Sequence, residues 1–436
     1  MSNPELSLHF ESRQPSSIRL AQIEFEKRND NVEAVNTAIG NISLPMHPAM
    51  HKRLINITSE NSPFNNGVVK YTSSGGTEEA NRAFLNIIES SGFSTKGLFS
   101  QITDGGSQAM ELTILGVCGP AGSDEKPLLM IDAAYANYLS FGSRLGRKAI
   151  SVRRTLRDDG TFTLPNLEEM EAKIKKYNPG ALVVIPYDNP TGHFYDRETM
   201  IILGKLCVKY NMWMVSDEAY REFHYKSCTA SSVWALTEKD VPGITGRRIS
   251  IETASKVWNA CGLRIGALVT DNKLFNQQSI AEYTANLCAN AIGQYIFGAL
   301  AYENHDDLEK WYEKQREYYK PMMTELRISL QTKLPGIIVS NPEAALYSVI
   351  DVRNIAKPGF NSNDFVLFCS QKGKIDIAGH NYTLLVAPMS GFYSVEEGEV
   401  NPGDSQMRVA YVVRPEKMIL LPHLFESLFK EYEAGR

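Results

Sequence analysis

The chain of 436 residues is long enough for two or three domains, and its 43% hydrophobic and 22% charged residues are typical of a globular protein. Its formal net charge of -5 provides neither the basic surface of a nucleic-acid-binding protein nor a polybasic membrane patch. No uninterrupted apolar stretch approaches the roughly 18 residues of a membrane-spanning helix. We therefore expect neither a nucleic-acid partner nor a membrane partner.

The six cysteines are scattered along the chain, without the paired spacing of a metal site or a redox motif. We expect reduced thiols and no bound metal. The N-terminal segment lacks the basic stretch followed by an apolar stretch that marks a signal peptide. Together these features predict a cytoplasmic protein.

The first 50 residues have no clear periodicity, and we expect them to be irregular. From about residue 96, short apolar runs alternate with stretches of helical spacing at 107–118, 166–177 and 196–209. The apolar runs are typical of buried strands, because both faces are apolar and Gly, Pro or Asp bounds most of them. These runs are GLFSQIT, PLLMID, KAISV, ALVVIPY, NMWMVSD, RISIET and GALVTD. The alternation predicts a mainly parallel sheet with helices on both faces.

The pattern changes after residue 272. Residues 273–332 are strongly helical in character and end in a long charged run. Strand candidates then follow as GIIVS, ALYSVID, YTLLVAP and MRVAYVV, with helices at about 362–372 and 415–433. This order predicts a smaller α+β domain, which the long helix links to the larger one.

The chain therefore has the pattern of an α/β protein with two domains. We assign residues 51–305 to the large domain and residues 306–436 to the small α+β domain. Residues 1–50 are expected to pack on the small domain. A cleft between two such domains is the usual place for a ligand.

The segment TDGGSQAMELTILGV, from residue 103, combines a strand end, two glycines and an apolar-periodic helix. Gly105 and Gly106 allow the backbone to approach closely, and the amides of Ser107 and Gln108 could hold a phosphate. Two glycines before a helix are more often an ordinary turn. The segment also lacks the GxGxxG of a dinucleotide-binding fold, which disfavours a NAD enzyme.

Three further segments follow buried strands. PYDNPTGHFY contains Asn-Pro-Thr-Gly, which is a good turn on propensity alone. NMWMVSDEAY places Asp217 at a strand end, where a carboxylate often caps a helix, with Tyr220 three residues later. In IETASKVWNACGLRIGALVT, small and apolar residues surround Lys256, and Arg264 lies nearby in sequence. A single lysine is usually a surface residue, but a lysine in an apolar cleft can form a Schiff base.

In this order and at this spacing, NPTG, DEAY and SK followed by GLRIG resemble the class I/II aminotransferases of the fold-type-I pyridoxal-5′-phosphate (PLP) enzymes, the aspartate aminotransferase superfamily. The resemblance spans roughly residues 36–415. It implies a fold-type-I PLP enzyme, active as a homodimer, that moves an amino group between an L-amino acid and a 2-oxo acid.

The resemblance also implies roles for individual residues. Lys256 would hold PLP as a Schiff base and move a proton between the substrate α-carbon and the cofactor. Asp217 would pair with the pyridine nitrogen and keep it protonated. Asn189 and Tyr220 would hydrogen-bond to the phenolic oxygen of PLP. Tyr135, in DAAYANY, would stack on the ring face, and the alternative for Tyr135 is a plain core aromatic.

Other positions match residues that contact the phosphate or the substrate. The implied phosphate contacts are the backbone of Gly106, Ser107 and Gln108 and the side chains of Thr253, Ser255 and Arg264. Tyr71, in VVKYTSSGG, matches a tyrosine that reaches the phosphate across the dimer interface. Arg408, in QMRVAYVV, matches the arginine that binds the substrate α-carboxylate through two hydrogen bonds. Gly40 and Asn189 match residues that line the substrate pocket.

The sequence alone leaves the substrate and the type of PLP reaction open. Aspartate-specific members need a second cation, but Ser107 stands where one subgroup has lysine, and residues 281–298 contain neither arginine nor lysine. A dicarboxylate substrate is therefore not supported by the usual means. The alternative function is another PLP reaction on the same fold, by a C–S or β-lyase, a decarboxylase or a synthase, because all of these share the Lys–Asp–Tyr–Arg set.

Overall fold

A computed structural model gives the structure of the protein and describes residues 4–226, 229–396 and 398–436. Its strands, in chain order, are β1 (Glu33–Asn36), β2 (Phe99–Thr103), β3 (Leu128–Asp132), β4 (Ala149–Arg153), β5 (Ala181–Val184), β6 (Trp213–Asp217), β7 (Arg248–Thr253), β8 (Gly266–Thr270), β9 (Ile338–Val339), β10 (Tyr347–Asp351), β11 (Ile375–Ile377), β12 (His380–Leu385), β13 (Ala387–Pro388) and β14 (Gln406–Ala410).

The α-helices, in chain order, are α1 (Leu8–Glu11), α2 (Ser17–Glu26), α3 (Pro48–Ile55), α4 (Glu78–Ser90), α5 (Gly105–Val117), α6 (Asn137–Arg144), α7 (Leu167–Tyr177), α8 (Arg197–Lys209), α9 (Lys273–Tyr283), α10 (Ala291–Phe297), α11 (His305–Lys333), α12 (Ser362–Gln371), α13 (Pro415–Met418) and α14 (Leu421–Gly435).

Seven strands form one sheet in the order β2-β8-β7-β6-β5-β3-β4. β8 runs antiparallel to its neighbours β2 and β7, and the other neighbouring strands are parallel. β3, β5 and β8 are buried along their whole length, which is why the sequence shows continuous apolar runs there instead of alternation. The predicted mainly parallel sheet is confirmed.

Helices pack against this sheet and bring the functional loops to one edge. α5 contacts β7 and β8, α7 contacts β4, and α8 contacts β6. Side-chain caps begin two of these helices: Asn166 accepts from the first amides of α7, and Asp196 accepts from the Thr199 amide in α8. Because neighbouring parallel strands end at the same edge, the residues that follow β3, β5, β6 and β7 lie close together.

Two smaller sheets are formed by strands of the C-terminal part of the chain, and one of them also includes β1 of the N-terminal segment. One is antiparallel, in the order β13-β14-β10-β9, and in the other β12 lies between β1 and β11. The expectation of an irregular N-terminal segment is wrong, because α2 is a ten-residue helix that Ser16 caps and that packs against α12. β1 has only four residues and is held by its pairing with the distant β12, so its own sequence carries little strand signal.

Two element boundaries also differ from the prediction. The helix expected at 415–433 is two helices, α13 and α14, because Pro422 lies in the first turn of α14 and cannot donate a backbone hydrogen bond to a preceding turn. The strand expected at 382–388 is divided between β12 and β13. Among the helices of the described residues, none has the length and apolar character needed to cross a membrane.

Candidate active site

A cavity of about 160 Å³ lies where β6 and β7 end and α5 begins. A larger cavity, of about 730 Å³, lies between β4 and α7, but none of the predicted site residues lines it. Gly40 and Arg408 adjoin the smaller cavity through hydrogen bonds with Lys256 and Asn189. Ten predicted residues line the smaller cavity: Gly106, Ser107, Tyr135, Asn189, Asp217, Tyr220, Thr253, Ser255, Lys256 and Arg264.

Lys256 lies three residues beyond the end of β7 and is half-buried, and its sequence neighbours Ala254 and Val257 are buried. Its Nζ donates a hydrogen bond to the backbone oxygen of Gly40. A Cβ placed on Gly40 would lie 3.0 Å from this Nζ, which is tighter than side chains normally pack. A glycine at position 40 therefore leaves room for the amine at the edge of the cavity.

Asp217 ends β6 and is partly buried at the cavity. The Tyr138 hydroxyl donates a hydrogen bond of 2.7 Å to its Oδ2, and the Ala219 amide donates one of 3.1 Å to its Oδ1. Burial raises the pKa of Asp217 to about 6, although these two hydrogen bonds act in the opposite direction. Within the described chain this carboxylate has no cation as a partner, so a positive group in the cavity would stabilise its charged form.

The first turn of α5 forms the positively polarised end of the cavity. Gly105 has a φ of +78°, and a Cβ placed there would lie 2.6 Å from an Arg264 Nη atom, so the guanidinium rests against the helix start. Gly266 also packs tightly against this turn, because a Cβ placed at position 266 would lie 2.5 Å from the Gly105 carbonyl carbon. The Thr253 and Ser255 hydroxyls lie 2.8 Å apart beside it. Free helix amides, hydroxyls and a guanidinium are suitable donors for a phosphate.

Arg408 lies on β14 and is only 4% exposed. Its Nη1 donates to Asn189 Oδ1 at 2.9 Å and its Nη2 donates to the Ala38 oxygen at 2.7 Å, while its Nε has no partner. None of the carboxylates in the described residues forms an ion pair with it. Asn189 in turn donates from Nδ2 to the Tyr220 hydroxyl at 3.1 Å. The guanidinium is thus connected to Tyr220 through a single amide side chain.

Tyr135 lies in the loop between β3 and α6 and lines the cavity. Its ring meets the Tyr138 ring edge-on, with centroids 5.5 Å apart, and Asn137 Nδ2 donates to its hydroxyl at 2.8 Å. Burial raises the pKa of Tyr135 to about 12, so its hydroxyl stays protonated near neutral pH. The side chain is therefore a neutral aromatic wall of the cavity.

Two predicted residues lie apart from the cavity within a single chain. The Tyr71 side chain is 78% exposed. Gln108 lies in the first turn of α5, but its side chain does not line the cavity.

Tyr138 and Tyr347 are two further residues of the site that were not expected from the sequence. Tyr138 follows Tyr135 by three residues, so helical spacing in DAAYANY was an available signal for it. Tyr347 lies on β10 and comes close to Arg408 only because β10 pairs with β14. No local sequence pattern identifies Tyr347 as a residue of the site.

The model of the family "Aminotransferase class I and II" matches residues 65–375, well over half of the chain. The chain belongs to the class I and II aminotransferases. Similar family members include the aspartate aminotransferase of Sulfolobus acidocaldarius, which is 25% identical over 363 residues, or 82% of this chain and 84% of that protein. The aspartate aminotransferase of Musicola paradisiaca is 26% identical over 311 residues, or 70% of this chain and 72% of that protein.

Solved aminotransferase structures share the fold. The alanine aminotransferase from Pyrococcus furiosus superposes with a TM-score of 0.79 at 21% identity, over 98% of this chain and 100% of that chain. The predicted α/β fold of the fold-type-I PLP enzymes is confirmed. The predicted family and the predicted enzyme class, a PLP-dependent aminotransferase, are confirmed as well.

This aminotransferase depends on PLP, and the donors in its cavity fit that cofactor. Asp217, which has no cation partner in the described chain, suits a protonated ring nitrogen. The start of α5 with Arg264 suits a phosphate, and Lys256 lines the same cavity. When bound, PLP supplies an electron sink for negative charge that develops on the substrate α-carbon.

Asp217→Asn is expected to stabilise the apo-enzyme and to weaken PLP binding. The folded apo-enzyme holds the Asp217 proton up to about pH 6, whereas the unfolded chain releases it near 3.8, so wild-type stability falls as the pH rises through this window. At pH 7 the Asn variant should gain about 1–3 kcal/mol in the free energy of unfolding, measured in urea.

The exposed Asp124→Asn is the matched control, because Asp124 forms only a surface ion pair with Lys148, and its effect should be close to zero. Equal apo-enzyme stability of Asp217→Asn and wild type at pH 5 and pH 7 would contradict the account of Asp217.

Proposed function

We propose that this aminotransferase moves an amino group between an L-amino acid and a 2-oxo acid at Lys256. One observation carries the proposal: Lys256 and Asp217 share a cavity that adjoins Arg408 through Asn189. Among the described residues Asp217 has no cation as a partner, and the buried Arg408 has no carboxylate. A protonated pyridine nitrogen and a substrate α-carboxylate are the charges that would complete these two residues.

Lys256 and Asp217 would manage the protons of the reaction. Lys256 would bind the cofactor covalently and, once the substrate amine has displaced it, carry a proton to and from the substrate α-carbon through Nζ. Asp217 would keep the pyridine nitrogen protonated, with its carboxylate oriented by the Tyr138 hydroxyl at 2.7 Å. The Gly40 oxygen supports the proposal, because it holds the Lys256 amine at the cavity.

Three residues would hold the cofactor ring. Tyr220 and Asn189, which already share a hydrogen bond, would donate to the phenolic oxygen. Tyr135 would stack on one ring face, which its position in the cavity wall supports. Its alternative role as a plain core aromatic is less consistent with a side chain that lines the cavity.

A second set of residues would bind the phosphate and the substrate. Arg408 would bind the substrate α-carboxylate, with Asn189 holding the guanidinium in plane and Gly40 leaving space beside Lys256. The phosphate would be held at the start of α5 by the backbone of Gly106, Ser107 and Gln108 and the side chains of Thr253, Ser255 and Arg264.

The proposed domains place these residues on two sides of one cleft. Residues 51–305 would form the large domain, which carries Asp217 and Lys256, and residues 306–436 would form the small domain, which carries Arg408. Residues 1–50 would join the small domain, which the pairing of β1 with β12 supports. Closure of one domain on the other would then exclude water from the substrate.

A half-reaction should distinguish transamination from the other reactions that PLP enzymes catalyse. Holoenzyme mixed with its amino acid, without a 2-oxo acid acceptor, should release one 2-oxo acid per active site and no ammonia. A screen of the common amino acids identifies the substrate, and a β-lyase would instead release ammonia over many turnovers.

The Lys256→Ala variant tests the role of Lys256 in this half-reaction. It should fold, bind PLP only non-covalently and release no 2-oxo acid, because it lacks both the covalent link and the proton carrier. A borohydride-reducible PLP adduct that persists in Lys256→Ala would overturn the assignment of Lys256.

The proposal includes a homodimer in the cytoplasm, with Tyr71 completing the phosphate site of the partner subunit. Val68, Val69 and Tyr71 are 47%, 54% and 78% exposed, and an apolar stretch of this kind suits an interface between subunits. The cysteines within the described residues are free thiols, which is consistent with a reducing compartment. Cell fractionation tests the location, and sedimentation tests the dimer.

Mixed dimers of Tyr71→Ala and Lys256→Ala test the shared site. One site of each mixed dimer would combine an intact Lys256 with an intact Tyr71 from the other chain, so activity at limiting PLP should approach half of the wild-type value. Each homodimeric variant should be less active than the mixture. A fully active wild-type monomer, or verified mixed dimers no more active than their parents, would contradict the proposal.

A further inference from the structure

Tyr347 contacts two of the residues that have an assigned role. It begins β10, beside the strand that carries Arg408, and is only 2% exposed. Its hydroxyl oxygen lies 2.8 Å from the hydroxyl oxygen of Tyr220. The Arg408 guanidinium carbon lies 4.5 Å from the centre of its ring. A single buried side chain therefore joins the proposed cofactor contact to the proposed substrate contact.

The Tyr347 hydroxyl also lies close to the amine of Lys256. A Cβ placed on Gly40 would be 2.6 Å from this hydroxyl and 3.0 Å from Lys256 Nζ. Both groups therefore border the small space that a side chain at position 40 would occupy. This space adjoins the cavity in which the reaction is proposed to take place.

The hydrogen-bonding partners of Tyr220 determine the direction of its bond to Tyr347. The ionisable side chains that interact electrostatically with Tyr220 include Tyr347, Tyr135 and Arg408. The Tyr220 oxygen accepts from Asn189 Nδ2. If Tyr220 gives its own proton to the phenolic oxygen of PLP, Tyr347 must be the donor in the pair. A hydroxyl that accepts a hydrogen bond is a stronger donor itself.

We propose that Tyr347 is a positioning residue, whose hydroxyl donates to Tyr220 and strengthens the hydrogen bond from Tyr220 to the phenolic oxygen of the cofactor. The inference rests on the proposed function and deepens it. Without this donor, the phenolic oxygen keeps more negative charge, which favours the protonated state of the nitrogen that links Lys256 to the cofactor. Tyr347 therefore shifts the pH at which the holoenzyme changes its visible absorbance.

Tyr347→Phe tests this inference, because it removes the hydroxyl and keeps the ring beside Arg408. The midpoint of the absorbance titration of the holoenzyme should rise by about 0.4 to 1 pH unit, the range expected for one hydrogen bond. The KM for the amino acid should stay within about twofold, since the contact between the ring and Arg408 remains. A change in KM of more than about tenfold would indicate a collapsed site and overturn the inference.

Tyr411→Phe is the matched control. Tyr411 is fully buried, and its hydroxyl is paired with Ser348 Oγ at 2.9 Å, so the same atom is lost outside the site. Its titration midpoint should equal that of the wild type. An unshifted midpoint in Tyr347→Phe, or an equal shift in Tyr411→Phe, would overturn the inference. Failure of the proposed function is a separate outcome, in which the wild-type holoenzyme has no borohydride-reducible bond between Lys256 and PLP.

Discussion

Arg408 is a cation in the interior of the protein for which the described part of the chain supplies no carboxylate. A buried charge without a counter-charge is costly, so its hydrogen-bonding partners must fix it firmly. Asn189 and the Ala38 oxygen accept from its two Nη atoms, and the rings of Tyr347 and Phe392 lie 4.5 and 5.2 Å from its guanidinium carbon. Segments far apart in sequence therefore converge on one group for which the described residues supply no counter-charge.

The other charged and polarised groups of the site are likewise suited to a charged ligand. Asp217 is a carboxylate whose pKa is raised to about 6 by burial, and the start of α5 carries the positive end of a helix next to Arg264. Gly105 and Gly266 make this arrangement possible, because a Cβ at either position would displace the guanidinium or the helix start. The cavity and the adjoining Arg408 thus present one negative and two positive regions, to which a protonated ring, a phosphate and an α-carboxylate are proposed to bind.

Much of this arrangement could be predicted from the sequence, because the strands of the large sheet are continuous apolar runs and the site residues directly follow them. Asp217 and Lys256 are examples, since each stands at or just beyond a strand end. Tyr347 could not be predicted, because only the pairing of β10 with β14 brings it to Arg408. The short strand β1 was missed for the same reason, since its pairing with β12 spans most of the chain.

Arg408 is proposed to bind the carboxylate of the substrate. Calorimetric titration of the holoenzyme with a 2-oxo acid, for wild type and Arg408→Lys, measures the contribution of Arg408 to this binding. An ammonium cannot reproduce two parallel hydrogen bonds, so the variant should bind the 2-oxo acid at least about tenfold more weakly while its affinity for PLP stays nearly unchanged. Equal affinity of the two proteins for every 2-oxo acid tested would contradict the account.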